Sequence, residues 1–278
     1  WEEVKVTKRL ADKIKIDNNY SEIVSKIIIN RKFNNLEISS ISNNIKYNNP
    51  FYNNNDFHKA RLILEKSFEK KEKILIFGDY DVDGCVSSSL FINFLKKINY
   101  DNYIYYIPNR FRDGYGPNIE LIKKLTNTKI KTVVFLDCGS TSNKTIQYLN
   151  SKNIKTLIVD HHEINQPYPK ADCIINPKKK CNYTEYDYLC SASLTYFLMD
   201  YLINKKKLKI DFNKNLVFVL LATICDVMPL RKLNRILAIE TIKNFHKDDF
   251  FIFDKILELK KVKRPLELED FGYLIGPI

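Results

Sequence analysis

The chain has 278 residues, 45% of them hydrophobic, which is enough for a real core and fits one large domain or two unequal ones. No run of about 18 apolar residues occurs, so no membrane span is expected, and the charged opening "WEEVKVTKRL" lacks the apolar core of a signal peptide. The net charge of +12 is compatible with a polyanionic partner, but lysine is crowded among Asn, Ile, Tyr and Phe, the residues of AT-rich codons, so composition accounts for much of it. The chain opens on Trp1 rather than Met, as a fragment would. None of the six cysteines, Cys85, Cys138, Cys173, Cys181, Cys190 and Cys225, forms a C-x-x-C pair; reduced thiols in a cytoplasmic protein are expected.

In chain order, residues 1–55 read as an irregular, asparagine-rich N-terminal arm with short helical pieces such as 21–32. Asp56 is the expected N-cap of a helix over 57–70, with Phe57, Ala60, Leu64 and Phe68 on one face. Then "KILIF" at 73–77 reads as a strand, 85–97 as a helix, "NYIYYIP" as a second strand and "PNIELIKKL" as a helix with Pro117 at its start. "KTVVFLD", "SNKTIQYLN" and "IKTLIVD" continue as strand, helix and strand. Alternation of apolar strands with helices predicts an α/β fold: a mostly parallel sheet flanked by helices on both faces. Beyond 188 the pattern is helical, over about 188–203, 213–226, 234–245 and 249–259.

Three strands end in acid: "ILIFGDYDVDG", "VVFLDCG" and "LIVDHHE". The carboxyl ends of parallel strands share one edge, so Asp79, Asp81, Asp83, Asp137, Asp160, His161 and His162 should converge, with Asp226 of "LLATICDVMPL" as a further candidate. One such Asp alone is most simply a turn or helix cap. Gathered in one cleft, they cannot all stay ionised without a cation, and oxygen ligands with one or two imidazoles suit Mn²⁺ or Mg²⁺ better than zinc. A calcium loop is a poor fit, because the twelfth position counted from Asp79 is Leu90 rather than Glu.

The stretches "GDYDVDG", "LDCGS", "DHHE" and "CDVMPL" resemble, in order and spacing, the motifs of the DHH phosphoesterases. "YIPNRFRDGYGPN", "LNRILA" and "DFGYLIGPI" resemble the RecJ single-strand-DNA exonucleases within them, over about residues 56–278. The resemblance implies two Mn²⁺ or Mg²⁺ ions and exonucleolytic hydrolysis of single-stranded DNA from the 5′ end, in repair and recombination. It assigns Asp81 to one ion, Asp83 to the other and Asp137 to both, with His161 and Asp226 completing the second site. His162 would face the scissile phosphate. Asp79 and Asp160 would be ligands or would orient the histidines. Arg110 and Arg235 would meet phosphates. Tyr115, like Tyr80, would stack on bases or simply pack, and Ser191 and Ser193 would donate to phosphate. A single-strand-binding protein and a helicase are the protein partners it suggests, and a monomer is expected. It divides the chain into an arm (1–55), a catalytic domain (56–230) and a helical connector (231–278) toward a truncated second domain. Two features depart from it: Phe77 stands where many relatives carry a metal-binding histidine, and "LCSAS" replaces a glycine-rich "AGVG". The rival readings are a DHH phosphodiesterase for short oligoribonucleotides or cyclic dinucleotides, and a non-catalytic single-strand-binding scaffold of the same fold.

Overall fold

In the computed structural model, residues 2–41, 47–127, 129–180, 183–246, 250–262 and 264–278 are described, Leu36 by its backbone alone. Five strands, β1 (Lys73–Phe77), β2 (Tyr103–Tyr106), β3 (Ile130–Leu136), β4 (Lys155–Val159) and β5 (Cys173–Ile175), form a fully parallel sheet in the order β2-β1-β3-β4-β5. The helices along the chain are α1 (Lys8–Asn18), α2 (Glu22–Asn30), α3 (Asn35–Ser40), α4 (Asn55–Glu69), α5 (Val82–Lys97), α6 (Ile119–Thr126), α7 (Asn143–Ser151), α8 (Ser191–Lys205), α9 (Leu216–Cys225), α10 (Lys232–Asn244) and α11 (Phe251–Leu259).

Strand alternation divides the core between the two faces of the sheet. Ile74, Ile76, Val134, Leu136, Leu157 and Val159 pack with α4, α5, α8 and α9 on one face. Leu75, Phe77, Val133, Phe135 and Ile158 pack with α6 and α7 on the other. A third cluster joins α9, α10, α11 and the terminal segment around Phe271. Because both faces are covered, the C-terminal stretches of β1, β3 and β4 (ILIF, VVFL and LIV) are continuously apolar, which makes them legible as runs rather than as alternations.

Topology locates the cleft. The crossover from β1 to β2 runs through α5 on one face; those from β2 to β3 and β3 to β4 run through α6 and α7 on the other. With right-handed crossovers, the chain reverses its direction of travel between β1 and β3. The loops that leave those two strands therefore diverge and open a crevice at their carboxyl ends.

Several expectations are corrected. The helix at 55 is capped by Asn54, whose side chain accepts from the Asp56 and Phe57 amides; the Asp56 carboxylate instead meets Lys179 at 2.7 Å and the Tyr183 hydroxyl at 3.1 Å. In the N-terminal segment the helical piece expected at 21–32 is α2, and it is accompanied by two further helices, α1 and α3. Part of the asparagine-rich stretch, 42–46, lies outside the described residues, as do Cys181 and the first residue of the helix expected at 249–259. The five described cysteines are free thiols. The sequence pattern does not announce β5: three residues are too short for a pattern to register. Phe77 is a core residue, fully buried with its ring 5.9 Å from both Tyr106 and Phe135.

Candidate metal centre

Each acid is delivered by a different local device. Asp79 follows β1, and the approach is tight: a Cβ on Gly84 would lie 2.6 Å from the Cβ, N and O of Asp79. Asp81 caps α5, its Oδ1 accepting from the Gly84 amide at 2.9 Å, so part of its role is the ordinary capping one. Asp83, in the first turn of α5, is fully buried and accepts the Ser191 and Ala192 amides at 2.8 Å each. Those amides are the start of α8, so a helix N-terminus from another layer holds this carboxylate. Asp137 ends β3 with φ +63, a left-handed conformation that costs a non-glycine residue about 1–3 kcal/mol and is sustained here by the surrounding fold. Its amide continues the ladder to Val159 O at 2.9 Å.

Asp160 ends β4 and acts as an organiser. Its Oδ1 accepts from the His161 amide (2.8 Å), the His162 amide (3.1 Å) and the His162 Nδ1 (2.8 Å), and its Oδ2 from the Ser140 amide (3.0 Å). Asn176, after β5, bridges the Ser140 hydroxyl (2.8 Å) and His162 O (2.9 Å).

His161 sits among three carboxylates. Its Nε2 lies 3.6 Å from Asp83, 3.5 Å from Asp137 and 3.4 Å from Asp226. Three overlapping groups have ligand atoms all within 4.8 Å of one another: Asp83, His161 and Asp226; Asp79, Asp81 and Asp137; and Asp137, His161 and His162. Both oxygens of Asp137 and both ring nitrogens of His161 are buried with no hydrogen-bond partner. A native fold leaves few such atoms, and a cation held between the Asp137 carboxylate and His161 Nε2 would satisfy three of the four.

The electrostatics agree. Burial, followed by the charges of Asp83, Asp81 and Asp160, pushes the Asp137 carboxyl well above its usual range. Burial raises Asp83 to about 7 against the amides that hold it, and raises Asp79 to about 6. Asp226 is raised by burial and by Asp81. His161 is held down to about 4 by burial and then by the charge of His162, leaving a neutral imidazole. His162 is raised by its bond to Asp160. Burial would raise Asp160 too, but the bond and charge of His162, with the Ser140 side chain and the His162 amide, outweigh it and hold it at about 2. Environment alone thus moves the two neighbouring imidazoles in opposite directions, His161 down and His162 up.

Residues 73–224 match the DHH family, N-terminal domain, a span of more than half the chain. The chain belongs to the DHH family. Among curated proteins, this DHH chain is 29% identical over 228 residues to the single-stranded-DNA-specific exonuclease RecJ of Haemophilus influenzae, covering 77% of this chain and 39% of that one. It is 28% identical over 232 residues to RecJ of Escherichia coli, covering 79% and 40%. It therefore spans about two fifths of the length of these relatives. Among solved structures, exonuclease RecJ bound to manganese superposes with a TM-score of 0.71 at 21% identity, covering 80% of this chain and 56% of that one. RecJ from Thermus thermophilus in complex with Mn²⁺ superposes with a TM-score of 0.79 at 17% identity, covering 98% and 38%. The shared architecture is the parallel sheet flanked by helices.

Of the residues expected at nucleic acid, Arg110, Tyr80 and Tyr115 form a run of ring contacts that reaches His162. Arg110 is exposed, 5.7 Å above the Tyr80 ring. Tyr80 meets Tyr115 edge-on at 6.5 Å, and Tyr115 meets His162 at 5.8 Å. Tyr115, Asn118, Ser140, Ser142 and His162 line a cavity of about 390 Å³ beside the centre. A larger cavity of about 770 Å³ lies elsewhere, between Tyr47, α8 and α10, and shares no lining residue with the acid cluster. Arg235 is half-buried on α10, its Nε without a partner. Ser191 and Ser193 are fully buried, with Ser193 Oγ 3.5 Å from Cys190 Sγ, so neither hydroxyl is presented to a phosphate. The backbone of Ser191 serves Asp83 instead. Sequence reading missed Ser140, Asn176 and the α8 amides; the serine of "LDCGS" and the polar end of "CIINP" were the available signals.

Proposed function

We propose that this chain is the catalytic part of a metal-dependent phosphodiesterase that degrades single-stranded DNA exonucleolytically. The observation that carries the reading is the set of buried, unpartnered ligand atoms on Asp137 and His161, encircled by Asp79, Asp81, Asp83 and Asp226. An oxygen-rich set with one or two imidazoles fits Mn²⁺ or Mg²⁺, and the RecJ structures it superposes on are described as Mn²⁺ complexes. Asp83, His161 and Asp226 would hold one ion, Asp79 and Asp81 the other, and Asp137 both. Two such ions would supply an activated water and neutralise phosphate charge.

The chain's own residues do the rest. Asp160 orients His162 and favours its protonated form, which would bring a hydrogen-bond donor to the phosphate where charge develops. Arg110 and Arg235 supply further positive charge, and Tyr80 and Tyr115 offer ring faces on which any base can stack, favouring a single strand without sequence preference. Cleavage from the 5′ end, a role in repair, a cytoplasmic location, a monomeric state, and association with a single-strand-binding protein and a helicase rest on the RecJ resemblance. On the same footing, residues 56–230 are the catalytic domain and 231–278 a connector. Among the described residues, no helix is long and apolar enough to cross a membrane.

The test is digestion of 5′-labelled and 3′-labelled single-stranded DNA with Mn²⁺ and with EDTA. Release of label from the 5′-labelled strand first, with Mn²⁺ only, is expected. Cleavage of dinucleotides in preference to long strands would favour the oligoribonucleotide reading. Single-strand binding without metal-dependent cleavage would favour the scaffold.

A further inference from the structure

Asp226 differs from the other acids of the centre. They stand on strand ends or on the first turn of α5, whereas Asp226 caps the C-terminus of α9. Its amide donates to Ala222 O at 2.9 Å, but among the described residues its carboxylate accepts no hydrogen bond, and His161 at 3.4 Å is its nearest polar contact. Backbone alone therefore aims it. That backbone is strained: Val227 has φ +55, a conformation disfavoured for a β-branched residue, and its side chain is 87% exposed and packs little. Strain of this kind persists only when something beyond the residue holds it.

The far end of the loop supplies that hold. Arg231 is the N-cap of α10, its amide bonded to Pro229 O at 2.8 Å. Its guanidinium makes a forked pair with Glu37 on α3, Nε to Oε1 at 2.7 Å and Nη2 to Oε2 at 2.9 Å, and stacks 5.2 Å from the Phe33 ring. Glu37 is 2% exposed and lies 194 residues away in sequence. Its capping bonds with Asn34 could be made equally by glutamine, so the cap does not require its charge.

We propose that Glu37 is a positioning residue for the metal centre: through Arg231 it pins the 226–231 loop and so sets Asp226 against Asp83 and His161. This rests on the metal reading above. The fork gives direction as well as attraction, which a single lysine contact would not.

The test is calorimetric titration of the whole 278-residue chain with Mn²⁺, for wild type, Glu37→Gln, Asp226→Asn and the double variant, with folding checked by circular dichroism. Glu37→Gln should weaken one of two Mn²⁺ sites about tenfold, the scale of outer contacts to metal ligands, and leave the other unchanged. Asp226→Asn should weaken the same site, and adding Glu37→Gln to it should do nothing more. Unchanged binding in Glu37→Gln, equal weakening of both sites, or additive effects with Asp226→Asn would each overturn the inference. A wild type that binds no Mn²⁺ would overturn the metal reading and this inference together; a wild type that binds two ions beside an indifferent Glu37→Gln overturns only the latter. Should Glu37→Gln fail to fold, Arg231→Lys, which keeps the charge and loses the fork, carries the same test with the same expected outcome.

Discussion

Replacing Asp137 by asparagine should make the metal-free chain more stable and remove its response to manganese. The size follows from the neighbours. Asp83 is 1% exposed and titrates at about 7 in place of 3.8; at about 1.4 kcal/mol per pH unit, keeping it ionised in the fold costs about 4 kcal/mol. Asp137 is raised in the same direction, partly by Asp83 itself. A carboxyl raised in the fold holds its proton more tightly there than in the unfolded chain, so stability falls as pH climbs through the folded value. His161, held down to about 4, has the opposite sign, but it is neutral in both states above about pH 7.5. Between about pH 6.5 and 8.5 the metal-free wild type should therefore lose about 0.8 kcal/mol from Asp83 alone, most of the cost having been met at lower pH. Asp137→Asn removes a buried charge and the repulsion it exerts, so the variant should melt higher at about pH 8 and show a shallower pH dependence. With Mn²⁺ at about a hundredfold its dissociation constant, the wild type should gain about 2.7 kcal/mol, or about 5–10 °C in melting temperature, and the variant much less. Thermal melts by circular dichroism, with EDTA and with Mn²⁺, read all of this. A variant that melts below wild type in EDTA and still gains from Mn²⁺ would refute the reasoning.

Gly84→Ala places a methyl group 2.6 Å from Asp79 backbone atoms, so it should cost about 2 kcal/mol or more in a urea melt and impair Mn²⁺ binding; a neutral effect would mean the α5 turn gives way freely. Val227→Gly relieves a left-handed β-branched residue with little packing to lose, and should raise stability by about 1 kcal/mol; no gain would show that the strain is absorbed elsewhere. Binding of single-stranded DNA, followed by fluorescence anisotropy, should weaken steeply with salt, with a logarithmic slope of about −0.7 for each phosphate contacted. A flat response would assign the +12 charge mainly to composition.

The sequence by itself determined the sheet and the gathering of acids along its edge. β1, β3 and β4 each end in an apolar run (ILIF, VVFL and LIV) followed directly by aspartate or by glycine and aspartate, and in a parallel sheet the ends of such runs share one edge whatever the details of packing. Those are local patterns, written in consecutive residues. The tertiary structure decided what depends on groups far apart in the chain. "LCSAS" has no local signature of an Asp83 ligand, and only the packing of α8 on α5 brings its amides to that carboxylate while burying the Ser191 and Ser193 hydroxyls. The run "CII" is too short to read as a strand, so Asn176, which ties Ser140 to His162, stayed hidden with it. Nothing near Arg231 in the sequence names its partner; only the fold brings Glu37 to it across 194 residues. Hydrophobic periodicity and strand-end acids are recorded in neighbouring positions, whereas the partner of a buried charge is chosen by the surfaces that happen to face it.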